Sequence, residues 1–166
     1  FDGGMRPRSP LLSHREVFDN VCRSIISLAG SISVPLIIEN LDYNSGGAYE
    51  YVCEPAFIAE VLRETQVGLL LDIAHARVSA ARLGCPFKHY LAALPLQRVK
   101  EIHVSGPRGQ GASLVDVHDT LLDDDYAILE EVLTRTAPAA LTLEYARDRR
   151  ALIEQVERLR AILDHG

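Results

Sequence analysis

The sequence predicts an α/β fold in which four parallel strands carry outer helices, and three observations lead there. Four short apolar runs have strand character: "VPLIIE" (34–39), "VGLLLD" (67–72), "VKEIHVS" (99–105) and "ALTLEY" (140–145). Helical patterns separate them, so strand and helix alternate, with connections long enough for right-handed crossovers. Each strand also turns a leucine-rich face one way and, the other way, a face that ends in an ionisable group.

The elements can be justified in order. A first helix, from about 14 to 29, begins with a capping box of Ser13 and Glu16 and is expected to stop at Gly30. After the first strand, Pro55 in a first turn opens "AFIAEVLRET". The second strand leads into a short helix, "HARVSAARLG", and a second one, "PFKHYLAALP", with proline at both ends. After the third strand, "DDDYAILEEVLTRT" places acidic residues at a helix N-terminus, where the dipole favours them. The last segment, "DRRALIEQVERLRAIL", is amphipathic to its end.

Side-chain direction selects among parallel architectures, because residues two apart on a strand share a face. Ile102 and Val104 oppose Glu101 and His103; Leu141 and Leu143 oppose Thr142 and Glu144; Leu69 and Leu71 oppose Gly68, Leu70 and Asp72. The first strand is less clean, with Leu36 and Ile38 opposing Pro35, Ile37 and Glu39. An open sheet covered on both sides has little use for a polar second face, whereas a barrel interior with a polar mouth does. A complete (β/α)8 TIM barrel needs eight strands and about 250 residues. The expected fold is therefore the C-terminal half of such a barrel, a single partial domain over 1–166 whose N-terminal strands lie outside this sequence. Two unpaired parallel edges would leave it prone to association or dimerisation.

Composition sets the outer limits. At 166 residues and 48% hydrophobic content the chain can bury a substantial core. Seventeen Lys and Arg against 23 Asp and Glu give a net charge of −6. With no basic run, the chain is not expected to bind nucleic acid electrostatically. No apolar stretch approaches the roughly 20 residues that span a bilayer, and no signal-peptide pattern opens the chain, so neither membrane insertion nor export is expected. Cys22, Cys53 and Cys85 are odd in number and widely spaced, which reads as buried thiols in a reducing, cytoplasmic setting. "FDGGMRPRSP", beginning at Phe1, looks like a loop already under way and points to a piece of a longer protein.

Barrel active sites lie at the C-terminal ends of strands. Here those positions hold Glu39, Asp72, His103 and Glu144, one per strand and one βα unit apart. Each has an innocent reading alone: Asp72 as a helix cap, Glu144 as a partner of Arg147 or Arg149, His103 as a satisfied core histidine. Four in phase favour a site. Three carboxylates and a histidine held together would repel and perturb one another unless a cation intervened, and a divalent metal is the simplest one.

His75, one helical turn past Asp72, can lean over the same mouth, and "DVHD" adds Asp116 and His118 from the loop after the third strand. The expected metal ligands are Glu39, Asp72, His75, His103, Asp116, His118 and Glu144. Seven oxygen and nitrogen donors without thiolate leave room for two ions and suit iron or manganese, with zinc as an alternative. Asp119 and Asp123 to Asp125 read as a solvated acidic loop leading to a helix. "GPRGQG" lacks the ending of a phosphate-binding loop, so its glycines predict mobility, and Arg108 within it reads as an exposed arginine before an anion anchor. "NLDYNSGGAYEYV" suits a substrate-facing loop.

"IIENLDY", "CEPAFIAEVLRETQVGLLLDIAHARVSA", "YLAALPLQRVKEIHVSG", "DVHD" and "LEY" together resemble the C-terminal part of the multinuclear non-haem iron oxygenases related to the iron subunit of methanobactin synthase. The resemblance runs from about residue 36 to the end. It implies a xylose-isomerase-like barrel with two or three irons that oxidatively rearranges cysteines of a ribosomally made peptide, often with a partner protein that recognises the peptide. It carries ligand roles to Glu39, Asp72, His103, Asp116, His118 and Glu144. This chain departs from the family pattern at Ala74 and His75, where many members have Asn-Asn, and it lacks the early strands with the first histidine ligands.

A second reading is a divalent-metal sugar isomerase or epimerase of the same superfamily, with Glu39 and Glu144 as catalytic acid and base around one manganese or similar ion. The Asp72–His75 spacing suits it, whereas "DVHD" exceeds what one ion needs. A third reading, a half barrel kept as a binding or scaffold module, predicts no metal.

Overall fold

Local signals in the chain account for most element boundaries in the structure, a computed structural model that describes residues 12–43, 51–111 and 113–165. Helix α1 (His14–Ser31) starts on the expected capping box: the Ser13 hydroxyl accepts from the Glu16 amide, and the Ser13 amide donates to the Glu16 carboxylate at 2.9 Å. It runs through Gly30 to Ser31, whose hydroxyl donates to the Leu28 carbonyl at 2.8 Å. Helix α2 (Pro55–Thr65) has proline in its first turn and ends at Gln66, whose left-handed φ of 60° returns its amide to the Leu62 carbonyl. Helix α3 (Ile73–Arg82) follows strand β2 (Gly68–Asp72) without a break, because Asp72 is both last strand residue and N-cap.

Strands β1 (Ile37–Glu39), β2, β3 (Val99–Val104) and β6 (Ala140–Leu143) form one parallel sheet in the order β1-β2-β3-β6. Six α-helices are present among the described residues, the others being α4 (Phe87–Ala93), α5 (Asp123–Leu133) and α6 (Arg149–His165). This arrangement is consistent with a partial TIM-barrel-like fold. The two strand faces divide as the alternation predicts. Leu69, Leu71, Ile102 and Val104 are buried in one core with Leu62, Ala76, Leu129, Val132 and Leu159 of the helices. Each such leucine contributes about 1.5–3 kcal/mol over an exposed one. The opposite face, with Leu70, Glu101, His103 and Thr142, is half-buried. Register sets Asp72 beside His103, and His103 beside Thr142.

One expectation is corrected. The "GPRGQG" and "DVHD" segments do not form a mobile loop; they pair as an antiparallel hairpin, β4 (Gly106–Gln110) with β5 (Ser113–Asp119). Gly106 serves close approach, not mobility: a Cβ there would collide with the carbonyl oxygens of Thr120 and Asp119. The proposed substrate-facing loop falls largely on residues 44–50, and "FDGGMRPRSP" on residues 1–10, all outside the described residues. No described helix is long and apolar enough to cross a membrane.

Candidate metal centre

The site begins with Asp72, whose side chain is fully buried where β2 becomes α3. Its two oxygens have different fates. Oδ1 accepts the His75 amide at 2.7 Å and caps α3, as the plainest reading of an Asp at this position demands. Oδ2 is buried with no hydrogen-bond partner among the described residues. Leaving a carboxylate oxygen so costs free energy that a cap alone does not explain.

The structure brings all seven expected side chains to this end of the sheet. Glu39 ends β1, His103 lies in β3, and Glu144 follows β6, its amide bonded to the Val104 carbonyl at 2.9 Å. His75, in the first turn of α3, leans back so that Nδ1 lies 3.0 Å from the Asn40 carbonyl, 3.3 Å from Glu39 and 3.9 Å from Asp72. Donor atoms of Glu39, Asp72 and His75 lie within 4.8 Å of one another, as do those of Asp72, His103 and Glu144. The two groups share Asp72. From β5, Asp116 reaches His75 Nε2 at 3.4 Å and His118 Nε2 at 2.9 Å, and His118 lies 3.5 Å from Glu144. His118 adopts a left-handed φ of 48°, costly for a residue with a Cβ.

Burial and proximity perturb the titrations. Burial dominates at Asp72 and pushes its carboxyl up to about 6, against the pull of His75. Burial disfavours a charged His75 ring, but Asp116, the Asp72 charge, the Asn40 carbonyl and Glu39 together outweigh it and hold the ring up at about 9. Burial would likewise raise Asp116, yet hydrogen bonds from His75 and Ser105 and the nearby His118 hold it down at about 2.

Sequence reasoning missed four supporting residues. Asn40 is fully buried and clamps the Asp72 backbone from both sides, Nδ2 to the carbonyl and Oδ1 from the amide, each at 2.9 Å. An asparagine directly after an apolar strand was the available signal. Ser105 donates to Asp116 at 2.7 Å. Glu101, facing inward two residues before His103, sits 3.2 Å from His103 Nε2 and accepts from Thr142 at 2.8 Å.

The acidic segment keeps its solvated reading at Asp123 and Asp124, which are exposed in the first turn of α5, but not at Asp125. Asp125 is buried, pairs with Arg77 and accepts the Leu122 amide at 2.7 Å. Arg108 is half-buried and tied to Asp119 at 3.5 Å and to the Thr120 carbonyl, so it is neither an exposed arginine nor a free anion anchor.

The donor set has oxygens and imidazole nitrogens only, and among the described residues Asp72 Oδ2 and His103 Nδ1 are buried without a hydrogen-bond partner. That chemistry suits a hard or borderline divalent ion. A cavity of about 650 Å³ lies elsewhere, between α5 and α6 beside Leu133 and Ile162.

Comparison with known proteins bears on the class of reaction the site could serve. Residues 7–164 match the model of a family described as RiPP precursor modification enzyme MbnB/TglH/ChrH. The chain belongs to this family. Similar proteins include a UPF0276 protein of Paraburkholderia phytofirmans, 31% identical over 82% of this chain and 46% of that protein. Others are a UPF0276 protein of Bordetella bronchiseptica, 32% identical over 95% and 57%, and one of Caulobacter vibrioides, 33% identical over 81% and 49%. The chain thus spans about half the length of these relatives. By its description the family consists of enzymes that modify ribosomally made precursor peptides, and the MbnB/TglH/ChrH model covers nearly the whole chain.

Proposed function

We propose that this chain carries the metal-binding half of an iron-dependent oxygenase that oxidatively modifies cysteine residues of a ribosomally made precursor peptide. The observation that carries the reading is the fully buried Asp72, which is shared by both donor groups and whose Oδ2 has no hydrogen-bond partner among the described residues. A carboxylate placed between two groups of ligands is suited to bridge two ions.

Glu39, Asp72 and His75 would hold one ion, and Asp72, His103 and Glu144 another. Asp116 and His118 complete the set from the hairpin and leave room for a third. Iron held there would supply one-electron redox chemistry toward dioxygen and a substrate thiolate. The chain's own side chains do the rest. Glu39 and Glu144 are the half-exposed carboxylates of the two groups, with side-chain exposures of 33% and 27%, so they are placed to take the proton of an incoming thiol. His118, more than half exposed, borders the approach. Family membership supports a precursor peptide as substrate, and a peptide-recognising partner protein belongs to the same reading.

Metal stoichiometry tests it. The anaerobically purified chain, offered iron(II), manganese(II) and zinc(II) in competition, is expected to retain two or more irons. His103→Ala and Glu144→Ala are each expected to lose metal with little change in thermal melting. One manganese or zinc per chain would favour the sugar isomerase instead, and no uptake would overturn both readings for this chain.

A further inference from the structure

The metal reading leaves one inward carboxylate without a task. Glu101 lies on the same face of β3 as His103 but one pleat deeper, and it belongs to neither donor group. Its Oε1 receives the Thr142 hydroxyl at 2.8 Å from the neighbouring strand β6 and stands 3.2 Å from His103 Nε2. On the other side of the ring, Nδ1 is buried, makes no hydrogen bond among the described residues, and lies 3.2 Å from Oε1 of Glu144, the residue that shares a donor group with His103 and Asp72.

These two sides of one ring are not equivalent. A carboxylate can only accept, so the hydrogen-bonded Nε2 is the nitrogen that carries the proton. In a neutral imidazole the other nitrogen then presents a lone pair. Thr142 fixes the Glu101 oxygen, and both are anchored by backbone pairing of β3 with β6, where His103 is in register with Thr142. We infer that Glu101, oriented by Thr142, is a positioning residue that holds His103 as the Nε2–H tautomer and so assigns Nδ1 as its metal-binding atom. This rests on the metal reading above and specifies which atom of the ligand serves it.

Outer-shell partners of this kind fix ring orientation and tautomer, and their loss costs about 10–100-fold in metal affinity. The geometry makes a specific claim, because removing Glu101 leaves Glu144 as the carboxylate next to the ring. The proton should then move to Nδ1, the side that must stay free.

The experiment uses the full chain with 15N-labelled histidine. In the metal-free chain, two-bond ring correlations identify which nitrogen carries the proton, with His103→Gln marking the resonances. Manganese(II) titration followed by electron paramagnetic resonance gives affinity, and thermal melting checks that each variant is folded. The expected results are an Nε2–H ring in the wild type and a shift toward Nδ1–H in Glu101→Ala, with affinity about 10–100-fold weaker. Glu101→Gln, whose amide oxygen still accepts, should keep the Nε2–H ring and most of the affinity. A wild-type ring protonated at Nδ1, or a Glu101→Ala chain with tautomer and affinity both unchanged, would overturn the role of Glu101. Failure of the wild-type chain to take up any ion would instead overturn the metal reading, and the two failures are separable because the tautomer is read without metal.

Discussion

Asp72 meets the demand of a strand-to-helix junction with one oxygen, and the proposed metal centre would call on the other. Its burial is what makes the second oxygen expensive. The carboxyl is held up at about 6 against an ordinary 3.8, so the folded chain binds a proton that the unfolded chain has released. For such an acid, stability is undiminished below about pH 3.8 and falls as pH rises through 6. His75 acts in the same direction in a higher window: its ring, raised to about 9 from 6.5, adds stability that is full below 6.5 and lost as pH rises through 9. Asp116, lowered to about 2 from 3.8, adds stability present above 3.8 and lost as pH falls toward 2. The metal-free chain is therefore expected to weaken from mildly acidic to alkaline pH, and denaturant titrations across that range check this. Asp72→Asn keeps the cap and removes the ionisation, so it should stabilise the metal-free chain above pH 6 by up to roughly 3 kcal/mol, less what the lost attraction to His75 takes back. The same variant should lose metal. Lower stability than wild type at pH 7.5 would show that the Asp72 charge holds the fold, not an ion.

Under the proposed metal reading, the β4–β5 hairpin is the element that decides whether the site has five ligands or seven, because Asp116 and His118 both ride on it. Several contacts hold it down. Arg147, just past β6, binds the Val117 carbonyl and sits 3.7 Å from Asp119, while Arg108 reaches Asp119 and the Thr120 carbonyl. At its base Gly106 lets the two strands approach closer than any Cβ permits. Gly106→Ala must push β5 outward at a cost of about 1–3 kcal/mol, and with it Asp116 and His118. The expected outcome is a folded chain that retains fewer ions per molecule than wild type, whereas unchanged stoichiometry would show that the hairpin ligands are dispensable. Arg147→Ala should lower occupancy in the same direction with a smaller loss of stability. This element also marks where the sequence was hard to read. "GPRGQG" has no alternation and three glycines, and a strand whose pairing depends on a glycine's missing side chain looks like a loop. Glu39, Asp72, His103 and Glu144 were legible because each breaks a period-two apolar pattern near a strand end. Asn40 and Glu101 were not, because their value lies in a bond across the sheet, to the Asp72 backbone for one and from the Thr142 hydroxyl for the other, which spacing along the chain does not encode.

At the scale of the whole molecule, the same strand order that gathers the candidate ligands leaves the sheet open. Strands β1 and β6 each have a sheet partner on one side only among the described residues. Parallel edges of this kind offer unpaired amides and carbonyls to any other strand. The exposed apolar side chains lie mainly toward the β1 side: Val34 is 65% exposed, and Ile26, Leu28 and Leu41 are also exposed. A sheet whose polar face must be screened from bulk water to hold buried donors such as Asp72, yet whose margins are unpaired, gains both core and ligand rigidity from any strand added at those margins. The expectation for this chain in isolation is self-association through the edges, with metal affinity rising as association proceeds. Sedimentation at increasing protein concentration, with manganese(II) binding measured on the same samples, checks both parts. A chain that stays monomeric throughout, keeps its helical content and binds metal with the same affinity at every concentration would show that four strands suffice to build the centre, and that the edges contribute nothing to it.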